Sequence, residues 1–176
     1  IVEQDLALGK LADLLAELRQ QLVGLVYWPS ARECDEADVQ RLGGRLVDTK
    51  ITYAMDLRGR DLRPQGPDGV VEAYTPSMAV RDLEDLAVQS GQYSRFAVDP
   101  RFPGEKFTAL YKTWIRRSLL KEIAQEVLVI RVGGRVVGMA TLGEQNGRGN
   151  IGLNAIDRDF RGRGYGEKIV RAAQGW

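Results

Sequence analysis

The chain has 176 residues, 44% of them hydrophobic, and its 25 basic side chains nearly balance 24 acidic ones, which leaves a net charge of +1. This length suffices for one sizeable core, or for a small subdomain joined to a larger domain. Histidine is absent and Cys34 is the single cysteine, which excludes Ser-His-Asp hydrolases, papain-like proteases, internal disulfides and Cys-rich metal sites.

The charge is unevenly distributed along the chain. Residues 1–73 hold 9 Lys+Arg against 13 Asp+Glu, a net −4, whereas residues 74–176 hold 16 against 11, a net +5. The positive half favours an anionic small ligand, and nucleic-acid binding is a less supported alternative, because this half contains no run of five or six basic residues. No stretch approaches the ~20 apolar residues of a membrane helix and no secretion signal is recognisable, so we expect a cytoplasmic protein without membrane contact.

The first part of the chain predicts a small α/β subdomain. Leucines spaced three and four apart give residues 4–23 one apolar face, which predicts a packing helix. Three further elements are predicted before residue 58, namely strands over 25–28 and 46–57 and a helix over 34–42. The segment 58–69 is rich in glycine and proline, so we place the domain boundary there, between domains 1–69 and 70–176.

The second part predicts a sheet with covering helices. Its early elements are a strand over 70–74, a helix over 78–89 ending at Gly91, a loop over 93–102 and a helix from Pro103 whose aromatic face indicates core packing. Three strands follow, over 126–132, 135–143 and 149–157, and a last helix covers 164–174. Gly133-Gly134 and Asn146-Gly147 are typical of tight hairpin turns, so the three strands are predicted to be antiparallel neighbours.

A glycine-rich hexapeptide, Arg161-Gly162-Arg163-Gly164-Tyr165-Gly166, connects the last strand to the last helix. Glycines let the backbone approach an anion, and the first turn of a helix leaves N–H groups without internal partners at the positive end of its dipole. A Rossmann turn and a Walker loop are both excluded, because Glu167 stands where each needs another residue. The alternative is an ordinary glycine-rich surface turn.

The pattern Arg-x-x-Gly-x-Gly between a strand and a helix resembles the acyl-CoA loop of the GNAT superfamily of N-acyltransferases. The order of elements in residues 70–176 resembles the first two-thirds of that fold, which implies a mixed, mostly antiparallel sheet with an N-terminal α/β subdomain. A complete member continues with a further strand, a helix and a closing strand pair. Because the chain also begins at Ile1 without methionine, we expect either a fragment or a chain trimmed to its ordered part.

The resemblance also implies a ligand and its contacts. Acetyl-CoA would serve as co-substrate, without a metal, for direct acetyl transfer to an amine. Backbone groups of three strand residues would bind the pantetheine arm, and the loop would bind the diphosphate. The strand residues are Ala155, Ile156 and Asp157, the loop donors are Gly162, Arg163, Gly164, Tyr165 and Gly166, and the charged side chains are Arg161 and Arg163. A solvated arginine is the alternative for Arg161 and for Arg163.

No residue of this sequence can be assigned as a catalytic acid or base. Many relatives place a glutamate near the start of the last strand, where this chain has Asn150, which cannot accept a proton. The nearest acids, Asp157 and Glu144, are predicted to lie at solvated strand ends, so a water chain is the remaining base. The tyrosine that acts as acid in relatives lies beyond the last helix. Cys34 is interpreted as a small buried residue.

The acceptor is indicated by a second resemblance. Tyr93-Ser94-Arg95-Phe96 and the segment Asp99-Pro100-Arg101-Phe102-Pro103 resemble the acceptor side of dTDP-fucosamine N-acetyltransferases, which acetylate the 4-amino group of a dTDP-amino sugar. This implies that Ser94 and Arg95 contact the nucleotide sugar, and the alternative for Arg95 is that it caps or braces the helix that follows. Other small amines, a protein N-terminus, a non-catalytic acyl-CoA sensor and a homodimeric assembly stay open.

Overall fold

The structure, a computed structural model, describes residues 8–30, 34–60 and 71–176. The chain divides into two compact units, Ile1–Ile51 and Thr52–Trp176. The division falls before the glycine- and proline-rich segment in which the domain boundary is predicted, and most of that segment lies outside the described residues. The position of the predicted boundary therefore stays a prediction.

The described part of the first unit contains two helices, α1 (Leu8–Gln20) and α2 (Glu36–Arg41). Leu11 is the buried residue of α1, and α2 begins after Asp35, whose side chain accepts a hydrogen bond from the Ala37 N–H at 2.8 Å. Both predicted helices are confirmed with shorter bounds, and residues 4–7 of the first lie outside the described part.

The two strands predicted over 25–28 and 46–57 are wrong, because neither segment forms a strand. An apolar run becomes a strand only when a neighbouring strand satisfies its backbone groups and a core covers its side chains. Such cover is missing at several apolar positions of the second segment, where Leu46 is 80% and Tyr53 90% exposed.

The second unit is built on a four-stranded sheet. Its strands are β1 (Val71–Ala73), β2 (Glu126–Val132), β3 (Arg135–Gln145) and β4 (Arg148–Ile156), in the spatial order β1-β2-β3-β4. The predicted strands and their antiparallel pairing are confirmed, since all described pairs are antiparallel. Gly133-Gly134 and Asn146-Gly147 form the two hairpin turns, with positive φ at all four residues.

Four helices accompany the sheet, namely α3 (Val80–Ser90), α4 (Arg95–Val98), α5 (Gly104–Leu119) and α6 (Tyr165–Gln174). Ile169 of α6 packs with Ile130 and Leu142 on one face of the sheet. The alternate residues Val129 and Met139 are also fully buried, because α3 and α5 cover the other face. Only α4 is unexpected, since a loop is predicted there.

An ion pair joins α3 to α5, and aromatic rings pack against one another along α5. Glu84, 8% exposed, accepts a hydrogen bond from Nε of Arg116 at 2.6 Å. The Tyr111 ring lies 5.0 Å from the Trp114 ring, and Tyr111 is buried, which confirms that the aromatic face of this helix is core. None of the helices in the described part of the chain has the length and apolar character of a membrane span.

Candidate functional site

The glycine-rich hexapeptide forms a bend between β4 and α6. The ladder with β3 ends where Asp157 N–H donates to Val137 C=O at 2.8 Å, and a single 3₁₀ turn, Arg158–Phe160, follows. Gly162 and Gly164 then have φ of +76° and +78°, the left-handed region that favours glycine. A side chain at either position would enter open space, so the surface of the bend is not covered by the described protein atoms.

Backbone N–H groups on the two halves of the bend differ in their partners. In the first half, the N–H of Arg158 donates to Oε1 of Gln89 at 3.1 Å, and those of Asp159 and Phe160 donate to oxygens of Asp157 at 2.9 Å.

In the second half, within the described chain, no protein oxygen accepts a hydrogen bond from the N–H groups of Gly162 through Gly166. The first bond of α6 is Lys168 N–H to Gly164 C=O. A row of unsatisfied donors therefore lies at the positive end of a helix dipole, which is an arrangement suited to phosphate.

Strand β4 lies at an edge of the described sheet, so one side of its backbone has no strand beside it. Because hydrogen-bonded and non-bonded pairs alternate in an antiparallel ladder, the Asp157–Val137 bond fixes which groups face β3. Ala155, opposite Met139, faces β3 together with Asp157, whereas Asn154 and Ile156 direct their N–H and C=O groups to the open edge. Of the three predicted strand residues, only Ile156 presents its backbone there.

A β-bulge produces this orientation. The register of β3 and β4 shifts between Ala140 and Leu142, so that Gly152 and Leu153 both stand opposite Thr141. The buried Thr141 hydroxyl accepts the Leu153 N–H at 2.8 Å and replaces the lost ladder bond. A side chain at Gly152 would begin 2.8 Å from that hydroxyl, so the bulge needs glycine at this position.

The two arginines of the hexapeptide lie against the bend. Nε of Arg161 donates to Ile156 C=O at 3.0 Å, and Nη2 of Arg163 donates to Asp159 C=O at 3.1 Å. The Arg163 guanidinium also stacks 4.9 Å from the Phe160 ring. Both residues are exposed, and both side chains are oriented by these contacts beside the unsatisfied N–H groups.

Asp157 does not lie at a solvated strand end, so that expectation is wrong. It is 4% exposed, and its Oδ2 accepts a hydrogen bond from Nη2 of Arg135 at 2.6 Å. The partner guanidinium comes from the start of β3, 22 residues earlier, and cannot be anticipated from the spacing of charges along the strand. Glu144 is exposed in β3, opposite Gly149, as predicted.

The two predicted acceptor residues lie at the start of α4. Ser94 precedes the helix, and its hydroxyl is buried with no hydrogen-bond partner in the described part of the chain. The Arg95 guanidinium stacks 4.5 Å from the ring of Phe96, which itself packs against Phe102 and Trp114. Arg95 is thus held on the aromatic cluster between α4 and α5, and its contact with a substrate stays a prediction.

Three residues at this site escaped the sequence analysis as functional candidates, namely Gln89, Arg135 and Asn154. A signal existed for Asn154, because an isolated glycine such as Gly152 within a strand pattern indicates a bulge and hence a reversed backbone. No local signal existed for Gln89, which meets Arg158 across 69 positions of sequence.

The comparison with protein families bears directly on this arrangement. Residues 93–176 match the model of the acetyltransferase (GNAT) family. The matched segment includes the edge strand β4, its bulge, the bend and α6, and the α/β architecture is consistent with the GNAT acyl-CoA N-acyltransferase fold. The match supports acyl-CoA-dependent acetyltransferase activity in general. A search of curated proteins gives no match to the chain.

Proposed function

We propose that the protein is an acetyl-CoA-dependent N-acetyltransferase that transfers the acetyl group directly to a primary amine. The observation that carries this proposal is the row of unsatisfied N–H groups from Gly162 to Gly166, at the start of α6 and beside the open edge of β4. The N–H groups at the start of α6 would bind a diphosphate, and the open edge of β4 would bind the amide-rich pantetheine arm of the same ligand.

The residues of the site would divide the ligand between them. The N–H groups of the bend would bind the diphosphate, and Arg161 and Arg163 would add positive charge next to it. The pantetheine arm would lie along the edge of β4, where Ile156 offers its N–H while its carbonyl is engaged by Arg161. Ala155 and Asp157 would support this edge from within the ladder.

In the proposed reaction, a neutral amine attacks the thioester carbonyl carbon, so that a C–N bond forms and the C–S bond breaks. The amine nitrogen loses a proton, the departing thiolate gains one, and the products are an amide and a thiol. The N–H of Asn154, directed to the open edge, would stabilise the developing oxyanion, a contribution of about 10²–10³ in rate for one such donor. No covalent enzyme intermediate is needed, and because Asn150 cannot accept a proton we assign the base to water.

The proposed acceptor is the 4-amino group of a dTDP-amino sugar. The support is the segment before α5, in which Ser94 has a buried, unsatisfied hydroxyl and Arg95 a planar guanidinium suited to phosphate. Another small amine or a protein N-terminus is the alternative acceptor for the same chemistry.

Calorimetry with acetyl-CoA tests the proposed function, using Gly164→Val and a matched control. Both Gly164 (φ +78°) and Gly147 (φ +70°) are left-handed and border open space, so Val strains the backbone equally at both. We expect acetyl-CoA to bind the wild-type protein and Gly147→Val, and not Gly164→Val. If the wild-type protein does not bind acetyl-CoA, the proposed function is wrong. If both variants bind acetyl-CoA equally, the bend is not part of the binding site.

The acceptor proposal has its own test in Arg95→Ala, with Arg117→Ala on the surface of α5 as control. We expect the affinity for a dTDP-amino sugar to fall about tenfold in Arg95→Ala alone, the value of one charge-assisted contact. The affinity for acetyl-CoA should stay unchanged in both variants. If Arg95→Ala binds the dTDP-amino sugar with unchanged affinity, Arg95 is not part of the acceptor site.

A non-catalytic acyl-CoA sensor is the second candidate. Two points favour it: the resemblance implies an acid at the position of Asn150, which cannot accept a proton, and Asp157 is buried in an ion pair with Arg135. Binding of acetyl-CoA without turnover across a panel of amines would favour the sensor over the enzyme.

A further inference from the structure

The bend after β4 is held from behind by side chains that belong to other elements. The N–H groups of three consecutive residues, Arg158, Asp159 and Phe160, all have protein acceptors, whereas the N–H groups that follow from Gly162 have none in the described chain. The first half of the bend is therefore fixed by the protein, and its second half is left for a ligand.

Gln89 supplies the contact from α3. It lies in the last turn of that helix, and its Oε1 accepts the Arg158 N–H at 3.1 Å. Helix α3 is itself held firmly, because Leu83 and Leu86 are at most 1% exposed and Glu84 is paired with Arg116 of α5. The Gln89 side chain therefore anchors the bend to a helix that is fixed in the packed core.

Arg135 supplies the contact from β3. Its Nη2 donates to Oδ2 of the buried Asp157 at 2.6 Å, and Oδ1 of the same carboxylate accepts the Asp159 N–H at 2.9 Å. The carboxylate thereby bridges a strand and the bend. Without Arg135 it would be a buried, unpaired charge, which is costly enough that the carboxylate would turn towards water and release Asp159.

We infer that Gln89 and Arg135 are positioning residues for the diphosphate of the acyl-CoA ligand. This inference rests on the proposed function and adds to it two residues that do not touch the ligand. They would hold the N–H groups of Gly162 through Gly166 in the geometry that the diphosphate requires, so that little backbone freedom is lost on binding. Loss of either contact would leave the donors present but poorly oriented.

Each residue has a matched control for calorimetry with coenzyme A. Gln89→Met keeps the length of the side chain and removes the acceptor, and Gln92→Met makes the same change at a neighbouring exposed position. We expect Gln89→Met to weaken affinity about three- to tenfold, as for one hydrogen bond, and Gln92→Met to leave it unchanged.

Arg135→Met is compared with Arg131→Met, which removes the same charge from a similarly exposed arginine whose partner, Glu72 at the β1 side of the sheet, is not buried. We expect about tenfold weaker affinity in Arg135→Met only, and recovery of most of it in Arg135→Lys, which keeps a cation beside Asp157. If the loss of positive charge alone were responsible, Arg131→Met would weaken the affinity for coenzyme A as much as Arg135→Met does. That result would overturn the inference for Arg135.

Backbone hydrogen exchange without ligand separates this inference from the proposed function. In Gln89→Met and Arg135→Met we expect faster exchange at Arg158 and Asp159, respectively, with unchanged protection in β2 and β3. Unchanged exchange, or coenzyme A affinities equal to those of the controls, would overturn the inference while the proposed function stands. A wild-type protein that fails to bind coenzyme A would overturn both.

Discussion

Gly91 follows the last residue of α3 at a point where the helix end meets the ring of Tyr111. Its φ is ordinary at −92°, so the position does not need glycine for its conformation. It needs glycine for space, because an added Cβ would lie 2.2 Å from Cζ of the Tyr111 ring. The end of α3 and the aromatic face of α5 are thus in direct contact, close to Gln89 and the bend.

Gly91→Ala should therefore destabilise the protein by about 1–3 kcal/mol, the usual cost of forcing extra atoms into a packed contact. The measurement is the free energy of unfolding in urea. Gly104→Ala is the control, since nothing lies within 4 Å of that position and alanine favours a helix. Equal stability of the two variants would show that the ring of Tyr111 can move aside at little cost.

How far the sequence predicts single residues depends on where their partners lie. The turn at the glycine-rich hexapeptide and the helix end at Gly91 are confirmed, because both follow from the local sequence. The solvated position predicted for Asp157 is wrong, since its partner Arg135 belongs to another strand. The role of each predicted ligand contact stays a prediction.

At the scale of elements, the bulge in β4 determines which backbone groups reach the open edge. In the two-residue hairpin at Asn146-Gly147, Gln145 and Arg148 form the hydrogen-bonded pair, so odd-numbered residues of early β4 face the edge. The extra residue at Gly152-Leu153 reverses the alternation, and Asn154 and Ile156 face it instead. The proposed oxyanion donor depends on this reversal.

Thr141→Val removes the hydroxyl that accepts the Leu153 N–H and keeps the shape of the side chain. Thr141 is 4% exposed, so the Leu153 N–H loses a buried acceptor, at a cost of about 1–3 kcal/mol. We expect a correspondingly lower free energy of unfolding, and faster hydrogen exchange at Leu153. Thr113→Val, on the exposed side of α5, should change neither, and exchange at Leu153 that matches this control would contradict the role of Thr141.

The pairing of β1 with β2 gives a prediction about pH. Glu72 on β1 lies opposite Val129 on β2, two residues before Arg131 on the same strand. The hydrogen bond from Arg131 lowers the pKa of Glu72 below its ordinary value. A lowered acid pKa means that the pair stabilises the fold above the ordinary pKa of glutamate, and that this contribution is lost as pH falls through the lowered pKa. In Arg131→Met, NMR titration should show the Glu72 pKa returning towards its ordinary value; no change would mean that Arg131 does not hold it.

The sequence predicts elements well where turns are explicit. The three long strands are confirmed within two residues because glycine pairs punctuate them, and α5 and α6 follow from their apolar spacing. The strands predicted over 25–28 and 46–57 are wrong because local composition cannot supply a partner strand. Helix α4 has only four residues, too few for a periodic signal.

For the whole molecule, the proposed site falls within a single compact unit. The sheet, the bend and the helices that cover them belong to Thr52–Trp176, as do Gln89 and Arg135. The positive half of the sequence, net +5 over residues 74–176, belongs to the same unit. Both the proposed donors for the diphosphate and the positive charge proposed to attract it are therefore carried by one part of the chain.

A protein consisting of residues 52–176 should therefore bind coenzyme A with an affinity within about twofold of that of residues 1–176, since each lost contact would cost severalfold. Circular dichroism first establishes that the shorter protein is folded, and calorimetry at equal ionic strength then compares the two. Raising the salt concentration should weaken both to the same degree, because the charges that steer the ligand are the same. A folded shorter protein that binds tenfold more weakly would show that residues 1–51 contribute directly to the site.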